Sequence, residues 1–368
     1  MIKKQFLQRA LLTCVAVVVS GCCAENTGKN KDVFSRQEII AIMDKVNNYQ
    51  LAHPWTQEDH NWIRSTYYTG VMALYKTTQE QRILDQAMSW AEKHKWMEGT
   101  EDDAPANKLT CGQTYLELYF LKKRSEMIEP IRKWVDCGKP RSPSAGGVWY
   151  SAGGMVYADS LYVAPPALAM LAKATGDIKY LEYMNKMYWD VVDQLFDKDF
   201  GLFYRDKRFL EATTENGKKV FWSRGNGWVI AGIPRILEYL PKDNQYYSRY
   251  IELFRTMAES ITKVQGEDGL WRTNLADAAQ YPGPETSGSA FFCYAIAWGI
   301  NNGFLDKQTY QPVVDKAWQG LIGCVGPDGK LGYVQPVADR PKPVARKMTH
   351  EYATGAFLLA GSEVIKLQ

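Results

Sequence analysis

Histidine is scarce in this chain of 368 residues. His53, His60, His94 and His350 are the four, and they lie far apart with no HxxxH or similar spacing. A metal site is therefore not expected, because ligands from one element normally recur a few residues apart. Cysteine offers no substitute. Of the seven, Cys14, Cys22 and Cys23 lie at the N-terminus, and Cys111, Cys137, Cys293 and Cys324 match no zinc spacing. These four lie in or beside apolar helical segments, so buried free thiols are expected rather than disulfides. A surplus of one charge is also missing. Residues 1–21 hold Lys3, Lys4 and Arg9 and no acid, so the formal charge of +3 falls to zero without them. No basic stripe remains to bind nucleic acid, and that class of partner is excluded. No cofactor motif stands out either.

The apolar run Ala10–Val19 is too short for a membrane span of about 20 residues. With the basic residues before it and Ser20-Gly21 after it, it has the layout of an export signal. Val19-Ser20-Gly21-Cys22 resembles a lipobox, which would make Cys22 the lipidated first residue. The expectation is an exported protein, periplasmic or on the cell surface and anchored through Cys22. Residues 1–21 would be the signal, 22–34 a polar tether and 35–368 a single domain.

What the chain does have is helical period. Leu181, Met184, Tyr188, Val191, Val192 and Leu195 form one stripe, and Tyr247, Ile251, Phe254, Ala258 and Ile261 another. Similar patterns predict helices over 36–50, 62–76, 80–95, 111–122, 125–136, 159–174, 226–240, 286–301, 309–323 and 349–366, with no convincing strand. Glycine turns followed by an apolar residue and an aromatic recur at Gly147-Val148-Trp149, Gly201-Leu202-Phe203, Gly269-Leu270-Trp271 and Gly329 to Tyr333. Their aromatics are 54, 68 and 62 residues apart, room for two helices and their connections. Six such hairpins predict an all-α fold closed as an (α/α)6 barrel. An open solenoid would show a stricter repeat and polar capping repeats.

The chemistry-bearing residues cluster at turns. The chain holds 12 Trp and 22 Tyr, and those beside loop glycines can stack on sugar C–H faces. Asp159 lies where a glycine-rich turn enters a helix. It either caps that helix or is a carboxyl among Tyr157, Tyr162 and Met155, whose surroundings would raise its pKa and let it deliver a proton. Arg224 stands between Trp222 and Trp228 on a stretch opened by Gly225 and Gly227. That is either cation–π packing or a bidentate carboxylate grip. Arg205, after Tyr204, is a second anion contact or part of a solvated charge cluster. Glu285-Thr286 and Thr349-His350 open two more helices, where the threonines could be simple N-caps.

The residues W-S-R-G-N-G-W at 222–228, Y-A-D-S-L-Y at 157–162, P-E-T-S-G at 284–288 and G-A-F-L-L-A-G-S-E-V at 355–364 resemble glycoside hydrolase family 105. These are the unsaturated rhamnogalacturonyl hydrolases, relatives of the family 88 unsaturated glucuronyl hydrolases. The resemblance runs from about Trp62 to the C-terminus. It implies an (α/α)6 barrel and removal of a 4,5-unsaturated uronic acid from the non-reducing end of oligosaccharides that polysaccharide lyases leave. It assigns Asp159 as the proton donor to C4, with Arg224, Trp222 and Trp228 as the uronate-binding group. Tyr157, Tyr204, Arg205, Asn107 and Trp149 are further substrate-binding candidates. The partner so implied is an oligosaccharide with an unsaturated uronyl end. Two departures stand out. Asn107-Lys108 replaces an Asp pair common among relatives, with Asp102 and Asp103 just upstream, and Arg205 replaces a histidine, which suggests an extra substrate anion such as sulfate. The competing readings are a non-catalytic saccharide-binding lipoprotein, and a conventional glycosidase whose second carboxylate would be Glu285 or Asp103.

Overall fold

The computed structural model describes residues 33–55, 58–100, 105–137 and 156–368. The signal, Cys22, Asp102, Asp103 and Trp149 therefore lie outside the described residues. Thirteen α-helices account for most of the rest: α1 (Arg36–Ala52), α2 (Trp62–Thr78), α3 (Gln81–Lys93), α4 (Thr110–Lys122), α5 (Glu129–Cys137), α6 (Ser160–Val163), α7 (Pro165–Thr175), α8 (Lys179–Leu195), α9 (Ser223–Leu237), α10 (Tyr247–Thr262), α11 (Thr286–Asn301), α12 (Lys307–Gly323) and α13 (Glu351–Val364).

Local chemistry sets these limits. The Ser35 side chain accepts from the Glu38 amide to start α1, and Asp306 accepts from Thr309 to start α12. Gly176 ends α7 in the left-handed conformation. The single helix expected over 159–174 is two, because Pro165 has no N–H to continue the ladder of α6 and instead opens α7. In α10 the buried stripe is Tyr250, Leu253, Phe254, Met257, Ala258 and Ile261. It is rotated from the expected one, and Tyr247 and Ile251 sit at its edge.

The helices form the expected double ring. Each of α2, α4, α7, α9 and α11 packs on the next, α11 packs on α13, and α13 returns to α2. Outer helices such as α1, α3, α8, α10 and α12 lie against that ring. The closing contact is between backbones: a Cβ on either Gly70 of α2 or Gly355 of α13 would fall on the other helix's main chain. Outer helices alternate with sharp turns. Gly201, Gly269 and Gly329 adopt φ of +64°, +82° and +96°, which explains glycine at three of the recurring positions. The first of these turns carries a short antiparallel pair, β1 (Phe196–Asp197) and β2 (Leu202–Phe203). Cys111, Cys293 and Cys324 are buried free thiols as expected, whereas Cys137 is free and exposed.

Candidate active site

The inner helices α2, α4, α6, α9, α11 and α13 start at one end of the ring, and the candidate residues gather there. A backbone ladder brings the first two together. Tyr157 pairs antiparallel with Asp206, and the Ala158 amide donates to the Arg205 carbonyl at 2.8 Å. This fixes Asp159, at the entrance of α6, beside Arg205. The Arg205 Nε donates to Asp159 Oδ2 at 3.2 Å, while its Nη1 donates to Asp206 Oδ2 at 2.9 Å. The guanidinium also lies 5.1 Å from the Tyr157 ring centre. The Tyr157 hydroxyl donates to Asn107 Oδ1 at 3.2 Å, so Asn107 joins the same group.

Asp159 does not cap its helix, since its side chain makes no capping hydrogen bond. Its carboxyl keeps 16 % exposure, against 0 % for Asp206. Burial pushes the Asp159 pKa above the ordinary carboxyl value, and outweighs the opposing pull of Arg205 and the more distant Arg224. Asp206 moves the other way despite its burial, because Arg208 and Arg205 both bond it and hold it ionised. The geometry thus separates two neighbouring carboxyls into one that is readily protonated and partly open, and one that is charged and sealed.

Arg224 lies in the first turn of α9, which begins three residues earlier than the periodicity predicts and places the arginine on a helix rather than on a loop. Its guanidinium is sandwiched between Trp222 and Tyr352, 4.5 and 4.6 Å from their ring centres. The Nη1 donates to the Gln335 carbonyl at 2.6 Å and Nη2 to the Pro336 carbonyl at 2.9 Å. Arg224 is only 1 % exposed. In this conformation its fork is therefore spent on the loop at 335–336 and is not free for a bidentate carboxylate. The charge still reaches Asp159 and, on the other side, His350, whose pKa burial and Arg224 lower to about 3.

Trp222 and Trp228 have separate tasks. The Trp222 indole donates to Gln335 Oε1 at 2.9 Å. Trp228 is buried beneath, packed against Trp62, Tyr162, Phe291 and Tyr352. Tyr204 is not brought to Asp159: its hydroxyl donates to Asp197 at 2.7 Å, which Lys219 also bonds at 2.6 Å. That phenol fastens the β1–β2 turn. Arg205 bonds two carboxylates, through Nε and Nη1.

Glu285 is not a second carboxylate facing Asp159. Fully buried, it caps α11 by accepting from the Ser287 and Gly288 amides, and takes further bonds from the Ser287 hydroxyl and the Gln335 amide. Thr286 is not the cap but its first helical residue. Sequence reasoning missed Asp206, Gln335 and Tyr352. Asp206 was readable as part of a charged run, but nothing local marks Gln335, which acts through Trp222 and Arg224. Among the described residues no group of three or more His, Cys, Asp or Glu side chains is placed to hold a metal ion.

The comparisons agree on a family. The model of glycosyl hydrolase family 88 matches residues 35–368. An unsaturated 3S-rhamnoglycuronyl hydrolase of Formosa agariphila is 37% identical, over 91% of this chain and 92% of its own length. A family 88 glycosyl hydrolase structure from Bacteroides vulgatus shares 31% identity with a TM-score of 0.82, covering 91% of this chain and all of that one (100%). A structure named a polysaccharide lyase shares 36% identity with a TM-score of 0.81, covering 90% of this chain and 97% of that one. The chain belongs to glycosyl hydrolase family 88 and is a glycoside hydrolase on an (α/α)6 barrel.

Proposed function

From that membership we propose that the protein removes a 4,5-unsaturated uronic acid from the non-reducing end of lyase-generated oligosaccharides, of rhamnogalacturonan or ulvan type. The name of the Formosa relative joins an unsaturated uronyl group to rhamnose, and that pairing is the substrate class adopted here. Asp159 donates its proton to C4 of the enol ether. Water adds at C5 and returns a proton to the carboxylate, and the hemiketal opens with loss of the remaining sugar chain. One carboxyl serves as acid and then base, so no paired carboxylate across the bond is needed.

The observation that carries this reading is the contrast at Arg205. Of the two carboxyls it holds, only Asp159 is both open to a ligand and displaced toward its protonated form. Arg224 supplies positive potential for the uronate carboxylate. Trp222, Tyr157 and Asn107 line the ring-binding side, and Trp228 supports it. Residues 1–21 direct export and Cys22 carries the anchor, a pairing that Cys22→Ser should convert to a soluble, unlipidated product.

Incubation with a lyase digest should extinguish the ultraviolet absorbance of the conjugated double bond. A lyase, the name borne by one structural neighbour, would raise that absorbance instead, and a binding protein would leave it constant. Either of those outcomes would remove the proposal.

A further inference from the structure

Six charged side chains of alternating sign run from the candidate acid to the surface. Asp159 meets Arg205, Arg205 meets Asp206, Asp206 meets Arg208, Arg208 meets Asp339, and Asp339 meets Arg340. The bonds are not equal. Arg208 chelates Asp206 with Nε at 2.8 Å and Nη2 at 2.7 Å, and its own amide adds a third bond at 3.0 Å. Arg205 reaches Asp206 at 2.9 Å but Asp159 at only 3.2 Å, through a single nitrogen. A free carboxylate beside an arginine would normally take two parallel, shorter bonds. Here Nη1, on the guanidinium edge away from Nε–H, is held by a carboxylate with no exposure at all, which sets how the guanidinium is turned toward Asp159.

We propose that Asp206 is a positioning residue: by holding Nη1 of Arg205 it fixes how that guanidinium is turned, so that it meets Asp159 through Nε alone and cannot swing round to a two-armed grip. The inference rests on Asp159 being the acid. Its logic is electrostatic competition. A fully paired Asp159 would stay ionised and have no proton to give, whereas a shared arginine leaves it protonatable yet oriented. Arg208 sets the balance from the far side, because it in turn shares Asp206. Asp159 is faced by Arg205 and Asp206 from the segment after β2, by Arg224 from α9, and by the Tyr157 phenol, over which Arg205 lies. Asp206 itself adds a negative charge that favours the protonated acid. Both its direct and its indirect effect therefore have the same sign.

The test is the pH dependence of kcat, followed by loss of double-bond absorbance, for wild type, Asp206→Asn, Arg208→Gln and Arg208→Lys. An acid catalyst loses rate as pH rises through its pKa. Asp206→Asn frees Arg205 to pair fully with Asp159, and the alkaline limb should move to lower pH by on the order of one unit. Arg208→Gln leaves Asp206 to pull harder on Arg205, and the limb should move to higher pH; Arg208→Lys should return it toward wild type. If Asp206→Asn does not fold, the direction of the Arg208→Gln shift decides alone. A uniform loss of kcat with the limb unmoved in the folded variants would overturn the positioning role. Failure of the wild type to consume the double bond would instead sink the functional reading beneath it.

Discussion

At the end of the barrel away from the candidate site, Glu117 of α4 accepts from Arg235 at 3.1 Å and from Lys76 at 3.3 Å, and Arg235 also donates to Gln113 at 2.6 Å. At the mouth, Asp159 has one nitrogen of one guanidinium, whose Nη1 serves Asp206. Both are carboxylates beside buried arginines, but one meets two cations and the other shares one cation with a competitor. Surplus positive charge ties three inner helices (α2, α4 and α9) at the far end. At the mouth, burial raises the pKa of Asp159 against the opposing pull of Arg205 and Arg224. The pattern of bonds separates the clamp from the candidate acid: Glu117 meets Arg235 and Lys76, whereas Asp159 meets a single nitrogen of Arg205.

The most damaging way to break the contrast is Asp159→Asn. Loss of the acid should lower kcat by about 10²- to 10⁴-fold, while the thermal midpoint, read by circular dichroism, stays near that of wild type. A parallel fall in midpoint would mean that Asp159 is a clamp like Glu117. Conversely, Arg235→Met leaves Glu117 with Lys76 alone and Gln113 without its donor, and should cost up to about 3 kcal/mol of stability by urea titration. The folded fraction should keep its kcat. Arg224→Lys blurs the two roles. It loses the fork to the Gln335 and Pro336 carbonyls and should lower kcat/KM by about ten- to a hundredfold, equivalent to charged hydrogen bonds of about 1.5–3 kcal/mol.

Smallest is an effect of pH on stability. Burial lowers the pKa of His60 to about 4, and burial with Arg224 lowers that of His350 to about 3. The unfolded chain protonates both near pH 6.5 while the folded one does not. Stability is thus full above that pH and falls as pH drops toward 4, by at most about 1.4 kcal/mol per unit for each histidine. Urea titrations at pH 7 and pH 5 measure it. Equal stabilities would show that neither imidazole is held neutral by the fold.

The fold was largely legible because amphipathic period survives in outer helices such as α8 and α10 and glycine marks the turns, although inner helices such as α9, α11 and α13 are buried on nearly every face. Where the reading slipped, a single residue explains it: Pro165 divided one helix, and the stripe of α10 turned by one position because Tyr250 and Leu253 make better inner contacts than Tyr247 and Ile251. The site was legible in its identities and not in its bonds. Asp159, Arg205, Tyr157 and Asn107 do meet. But a sequence cannot show that Arg224 spends its donors on carbonyls at 335–336, more than a hundred residues on, or that Glu285 closes upon its own helix. Tyr204 misled because an aromatic beside a glycine turn has the same signature whether it faces a sugar or fastens the turn.

Gly70 and Gly355 touch across the join between the first and last inner helices, and Glu351 at the head of the last one bonds Arg64 at the head of the first. Nearly three hundred residues separate these partners in the chain. The mouth is consequently a late product of synthesis: an unfinished polypeptide lacking α13 has an open wall, with neither Tyr352 behind Arg224 nor the second inner neighbour of α2. Such a chain should stay open at its mouth until its final helix emerges.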